Sequence, residues 1–447
     1  MRLSSWLPLA VLSASAVCGA ATRPRYGGTL RVEMLAAPAA LAPTSADAAP
    51  LRSLAFETLV RLDEAGAPQP CLALSWQHDA AARRWQFNLR PAVKFHDGSP
   101  LTAAAAAPLL QAALPAMTIA ATGDTAITIR ANRPLPDLLL DLAHNGWLDT
   151  GPFRQAAFEP GRRATFAANE DYWGGRPFLD AIDVQLGRAL RDQLADLQLG
   201  KADVVEVAPT DLRRVLGGTG VLGGTGFSLS SIWSSAPVTL IALVFPGGDA
   251  RLREALALSI DRAAMHTVLL QKQGEVSAAL LPQWISGYAF VFPTAPDLPR
   301  ARALANALPP AARTLTLSYD PSLRIARSLA ERVAVNARDA GLAVQVSPQN
   351  PRADVRLVEI RLASLDPEQA LAGFAAALGL ETPAAAASPA ALYESEHRLL
   401  DGFRAVPLFH LPVLYGAASR VRASAPPPIT RLGDWRFDNV WLSGTAP

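Results

Sequence analysis

"FNLRPAVKFHDGSPLTA", Phe87 to Ala103, sets a lysine, a histidine and an aspartate within the four residues Lys94 to Asp97. Such crowding invites an enzymatic reading. His96 and Asp97, however, are neighbours along the chain, and in an extended backbone neighbouring side chains point to opposite faces, so adjacency builds no catalytic dyad. The flanking residues say more. Trp85, Phe87 and Leu89 alternate with Gln86, Asn88 and Arg90, the pattern of a strand with one buried face. Together with the run that precedes it, from Leu72, this alternation predicts a hairpin. Val93 and Phe95 resume the apolar pattern after Pro91. His96-Asp97-Gly98 then predicts a turn into Pro100 and a helix whose N-cap is Thr102. Lys94, His96 and Asp97 are therefore expected to be solvated or turn-forming.

Outward from this stretch the elements alternate in type. "YGGTLRVEM" (Tyr26 to Met34) predicts a turn and a strand, and "LRSLAFETLVRLDEAG" (Leu51 to Gly66) has helical spacing followed by a turn. "TAITIRAN" predicts a further strand, and "PLPDLLLDLAHN" a short helix with proline at its start. "GPFRQAAFEPGRRATFAANEDYWGGRP" predicts turns and strands, and "RALRDQLADLQLGKADVVEV" a helix, a glycine stop and a strand. "DARLREALALSIDRAAMHTVLL" predicts one amphipathic helix with Leu252, Leu256, Ile260 and Ala263 on a shared face. "RTLTLSYDPSLRIARSLAERVAVNARDAGLAVQVSP" predicts strand, loop, helix and strand, an α/β unit. The class is α/β mixed with α+β.

The 447 residues exceed one compact core and predict two or three domains. Half of the residues are hydrophobic and 18% charged, enough for real cores, and a formal charge of +2 supplies no strong basic field for nucleic acid. Arg2, an apolar run from Trp6 to Val17 and then small residues make residues 1–21 a secretory signal peptide by layout, cut after Ala20 or Ala21. Cys18 is the alternative, as a lipid-attachment cysteine. If the leader is removed, only Cys71 remains and no internal disulfide can form. Gly218-x-Gly220-x-x-Gly223 matches a dinucleotide fingerprint by letter, but a helical run precedes it and a strand-like run follows, the reverse of what phosphate binding needs. No metal-ligand spacing and no nucleophile elbow occurs. No catalytic residue, metal or cofactor is expected. Asp171-Tyr172-Trp173 is expected to be core packing. Trp233, Trp284 and Tyr288 sit beside segment ends, where rings can wall a pocket.

The order of these motifs resembles the extracytoplasmic solute-binding proteins, family 5, of ABC transporters, the oligopeptide, dipeptide and nickel type. "YGGTLRV", "AFETLVRLDEAGAPQPCLALSW", "WQFNLRPAVKFHDGSPLTA", "DTGPFR", "NEDYWGGRPFLDAIDV", "LQLGKADV", "RLREALALSIDRAAM" and "VPLFHLPVLYGAASRVR" follow in the family's order, from Tyr26 to Leu442. The resemblance implies a two-lobed periplasmic-binding-protein fold, class II-like, with a small inserted domain and a hinge between lobes. Lobe I would take residues 22–52, 146–235 and 405–447, the inserted domain 53–145 and lobe II 236–404, with crossovers near Ser235 and Ala405. It implies a periplasmic monomer that captures a small peptide-like or other polar solute and delivers it to permease subunits in the inner membrane. A diverged module with a sensory or chaperone-like role is the alternative, and a secreted hydrolase a distant one. In dipeptide-binding relatives an aspartate at the position of Asp366 holds the ligand's amino group; a turn-forming Asp-Pro is the alternative reading of Asp366-Pro367. Arg324 lies where relatives hold ligand groups, while Arg356 and Arg361 are equally open as carboxylate clamps. The ligand-binding candidates are Asp366, Arg324, Tyr319, Trp233, Trp284 and Tyr288. Two departures stand out: the acidic residue the family carries after the signature is replaced by the alanine run Ala103 to Ala107, and the tryptophan before Asp366-Pro367 is missing.

Overall fold

The hairpin predicted around Phe87 is the centre of a four-stranded sheet. Its strands run in the order Ala73–His78, Arg84–Leu89, Ala126–Arg130, Thr118–Thr122, all antiparallel. Trp85, Phe87 and Leu89 turn inward, against Ile127, Ile129 and the buried face of helix Ala103–Ala113. Burying such a side chain contributes about 1.5–3 kcal/mol. Thr102 caps that helix as expected, its Oγ1 accepting from the Ala105 amide at 3.2 Å. Asp97 closes the turn by accepting from the Ser99 amide and hydroxyl. His96 departs from the sequence reading. Its side chain is 8% exposed, 2.5 Å from Asp149, and its Nε2 lies 2.9 Å from the Gly151 carbonyl. The His96 side chain is covered because a distant segment folds over it, while Asp97 to Ser99 stay exposed as expected.

The computed structural model describes residues 23–443 apart from 42–45, 64–65, 80, 136–137, 146, 213–228, 324, 385, 387 and 425. The leader with Cys18, the glycine-rich run at 217–226 and Arg324 therefore lie outside the described residues.

Among the described residues an eleven-stranded sheet runs through the molecule. Its order is Ala343–Pro348, Thr314–Tyr319, Val355–Arg361, Leu229–Val244, Ala405–Ala418, Val204–Glu206, Thr29–Glu33, Ala181–Gln185, Arg163–Ala168, Phe153–Glu159, with Glu275–Val276 added on Ala405–Ala418. The two long strands, Leu229–Val244 and Ala405–Ala418, lie antiparallel at the middle and belong to both halves. Their pairing slips where Pro237 faces Pro412. Neither proline has an amide hydrogen, so the ladder cannot continue there. Ser235 Oγ takes the Val413 amide instead, at 2.8 Å.

Each half has its own core. Along Leu229–Val244, Ile241 and Leu243 pack with helix Ala326–Asp339, whereas Leu240, Ala242 and Val244 pack with helices Pro367–Leu378 and Pro389–Leu400. The period-two alternation of a strand thus places helices on both faces of this half. The other half is built on Leu30, Val32, Phe153, Phe166, Trp435 and Phe437. The result is the mixed α/β, two-lobed architecture expected, with the small four-stranded sheet as a separate core.

The α/β unit is as read: Thr314–Tyr319 and Ala343–Pro348 pair in parallel around helix Ala326–Asp339, which stops before Gly341 at φ +82°. Two helices are shorter than their spacing predicts. The first ends at Ala55, because Phe56 is already extended and Val60–Leu62 pairs with Pro68–Pro70. The other breaks into Ala250–Ser259 and Arg262–Val268. Ile260 is extended between them, and Asp261 caps the second helix by accepting from the Ala264 amide at 2.9 Å. Apolar spacing survives such a break, so periodicity alone does not reveal it.

Candidate functional site

A cavity of about 840 Å³ opens between the two halves and the small sheet. One wall is the end of a central strand and the loop after it, Arg361 to Leu365, with Gln369. The facing wall comes from helix Ala49–Ala55, from Phe56 to Asp63, and from the carboxy-terminal stretch Thr430 to Asn439. Trp147 and Tyr172 complete it. This volume falls within the range of small-molecule sites.

Glu57 anchors the junction of helix Ala49–Ala55 with the small sheet. Its carboxylate accepts from Trp173 Nε1 at 2.8 Å, from Thr150 Oγ1 at 2.9 Å, from Tyr172 Oη at 2.9 Å and from Cys71 Sγ at 3.8 Å. Burial pushes the Glu57 carboxyl above its ordinary value, and the four donors pull against it. Burial first and the Glu57 charge second hold the Tyr172 phenol well above the usual range, and burial pushes the Cys71 thiol up to about 12. The Arg90 guanidinium lies over the Trp173 ring at 3.9 Å. The backbones of Glu57 and Leu148 exchange both hydrogen bonds. Gly151 sits so close that a Cβ there would lie 2.6 Å from the Ala55 carbonyl.

At the other wall Arg361 Nη2 donates to the Leu432 carbonyl at 2.6 Å and to Asp434 Oδ1 at 3.1 Å. Gly433 permits this approach: it takes φ +84°, and a Cβ there would meet Arg361 Nη2 at 3.3 Å. Arg52 lies 5.7 Å from the Trp147 ring, and burial lowers its pKa. Arg431 lies 4.2 Å over the Trp284 ring. Asp438 is raised by burial, against Arg436 and Arg61 nearby.

The candidates named from sequence do not converge on this cavity. Asp366 is buried as the N-cap of helix Pro367–Leu378, with Oδ1 accepting from the Gln369 amide at 2.8 Å. Among the described residues it forms no ion pair. Its cap nonetheless aims the helix at the cavity, because Gln369 lines it and bonds Asp141 on helix Leu138–His144. Trp284 stands one layer back, behind Arg431, with Nε1 donating to the Pro237 carbonyl. Tyr288 donates to Glu396 and packs edge-on against Tyr393. Trp233 is in the core against Phe437, and Tyr319 in the core beside Leu317 and Ile325. Arg324 lies outside the described residues. Of the two open arginines, Arg361 lines the cavity and Arg356 is exposed elsewhere. Sequence reasoning passed over Glu57, Arg52 and the run "RLGDWRFDN" (Arg431 to Asn439), and it expected core packing of Tyr172, which instead lines the cavity and donates to Glu57. The charges alternating with aromatics in that run are the one local signal that could have drawn attention to it.

Among the described residues no group of three His, Cys, Asp or Glu side chains is placed to hold a metal ion, and no helix is long and apolar enough to cross a membrane.

The sequence model for bacterial extracellular solute-binding proteins, family 5 (middle region), matches residues 67–125 and 142–377. The nickel-binding protein NikA of Staphylococcus aureus is 24% identical over 210 residues, 41% of this chain and 42% of that protein. The protein named "Probable D,D-dipeptide-binding periplasmic protein DdpA", of Escherichia coli, is 22% identical over 48% of each chain. The chain spans less than half the length of the curated relatives it matches. Among solved structures, NikA of Staphylococcus aureus in complex with Ni(L-His)2 has a TM-score of 0.77 at 16% identity, covering 93% of this chain and 100% of its own. The murein tripeptide-binding protein MppA of Escherichia coli has 0.74 at 16%, covering 93% and 98%. These likenesses show a shared fold.

Proposed function

The chain belongs to the bacterial extracellular solute-binding proteins, family 5, and from that premise we propose that it captures a small peptide-like or other polar solute in the cavity between its lobes and passes it to the permease of an ABC importer. It works outside the cytoplasm as a monomer and carries out no reaction on the solute. The observation that carries this reading is the 840 Å³ cavity, one wall of which is the end of strand Val355–Arg361 and the loop after it, and the other the helix and carboxy-terminal stretch packed on the opposite core. A solute bound there touches both halves and stabilises their closed arrangement. We place the pivot at the slip between Pro237 and Pro412, where the two long strands lack ladder hydrogen bonds and can rotate without breaking them. Several relatives point to the ligand class. The Bacillus subtilis protein AppA was solved with a nonapeptide, MppA is named for a murein tripeptide, and NikA for nickel.

The test is native mass spectrometry of protein purified without denaturation, followed by calorimetry with the mass-identified solute. A one-to-one complex with a polar solute is expected. Protein that carries no small molecule and shows no heat with peptide mixtures would overturn the proposal. So would turnover of a solute that a single substitution abolishes.

A further inference from the structure

The charged side chains of the cavity are nearly all engaged. Glu57 is held by four donors. Arg361 and Asp434 hold one another. Asp63 is tied into its own turn, accepting from the Ala67 amide at 2.9 Å and from Gln69 Nε2 at 3.0 Å. Arg436 donates to the Leu62 carbonyl at 3.2 Å, and Arg431 covers Trp284. Arg61 is different. It lines the cavity and is exposed to it, and among the described residues it makes no hydrogen bond or ion pair. Asp438, an acid of the same cavity whose charge Arg61 and Arg436 both favour, forms no ion pair with Arg61.

The position of Arg61 is set in advance. It is the middle residue of Val60–Leu62, paired opposite Gln69 on Pro68–Pro70. Val60 is buried, and strand alternation turns Arg61 to the opposite face. The two residues after it are pinned, Leu62 by Arg436 and Asp63 by the turn. A guanidinium on a fixed backbone, facing a cavity with no carboxylate ion-paired to it among the described residues, offers a planar fork of donors that matches a carboxylate.

We propose that Arg61 is a specificity-determining residue of this cavity, holding a carboxylate of the solute, so that the molecules taken are peptide-like and end in a free carboxylate. This rests on the cavity being the solute site. A hydrogen-bonded charge pair of this kind changes affinity by about tenfold or more.

The experiment is calorimetry and native mass spectrometry with di-, tri- and tetra-alanine as free acids and as carboxy-terminal amides. The parent chain, Arg61→Gln, Arg61→Lys and, as a surface control, Arg84→Gln are compared. The expected result is that the parent binds the acids at least about tenfold more tightly than the amides. Arg61→Gln loses this preference, Arg61→Lys keeps part of it and Arg84→Gln keeps it all. Equal binding of acids and amides by the parent, or an unchanged preference in Arg61→Gln, would overturn the role of Arg61 and leave the solute-binding reading standing. Binding of neither series, by a parent that also carries no co-purified solute, would overturn both.

Discussion

Glu57→Ala tests whether the cavity wall depends on one carboxylate. The substitution removes the acceptor shared by Trp173, Thr150, Tyr172 and Cys71. The hydroxyls of Thr150 and Tyr172 can turn to other partners, and a thiol is a weak donor. The Trp173 indole N–H cannot turn, and a buried donor left unmade costs about 1–3 kcal/mol. Relief of the desolvated carboxylate, visible in its raised pKa, returns part of that. A net loss of about 2 kcal/mol is expected, and because the urea slope of a chain this long exceeds the roughly 1–3 kcal/mol/M of small proteins, the unfolding midpoint should fall by about half a molar. Glu57→Gln keeps an accepting oxygen and should lose less than half as much. Urea titration by tryptophan fluorescence measures the midpoint. Amide exchange at Leu148, Thr150 and Tyr172 reports whether the loss is local to the junction. An unchanged midpoint together with unchanged exchange at those amides would refute the assignment of Glu57 as the joint of this wall.

Glu396 is fully buried, accepting from the Leu280 and Leu281 amides and the Tyr288 hydroxyl, and burial raises its pKa from 4.5 to about 7. Its folded-state pKa lies above the unfolded value, so the folded chain holds the extra proton, and stability falls as pH rises from about 4.5 through 7. The fall is about 3 kcal/mol. Glu396→Gln should flatten it, as read from urea midpoints at acidic and mildly basic pH; equal slopes in the two chains would contradict this. Gly151→Ala drives a methyl to 2.6 Å from the Ala55 carbonyl and should cost about 3 kcal/mol or more, checked by thermal melting against the parent. Asp366→Ala should cost about 1 kcal/mol through the lost cap, whereas Asp366→Asn keeps a capping oxygen and should melt with the parent. An Asn variant as unstable as the Ala variant would show that the charge, beyond the cap, is required.

Much of the fold was legible because its causes lie within a few residues of their effects. The alternation from Trp85 to Leu89, the Thr102 cap, the stop at Gly341 and the α/β unit around helix Ala326–Asp339 each depend on neighbours within about a turn or a strand length. The helix break at Ile260 was missed because Asp261 can serve either inside a helix or as a cap, and both choices leave the apolar stripe in place.

The site was far less legible. Asp366 could be picked out as an acid beside a proline, but a carboxylate's role depends on which donor reaches it first. The nearest donor proved to be the amide three residues on. Glu57, an ordinary surface residue by composition, takes its donors from Thr150, Tyr172 and Trp173, each about a hundred residues away. His96 likewise acquires Asp149 and Gly151.

The sequence by itself determined the elements, their order and through that order the family, because periodicity, caps and turns are local. Only the tertiary structure decided which charges are engaged and which face open space. Hydrogen bonding and desolvation depend on groups brought together across the whole chain, and the cavity exists only where two halves of one sheet and a small third core meet.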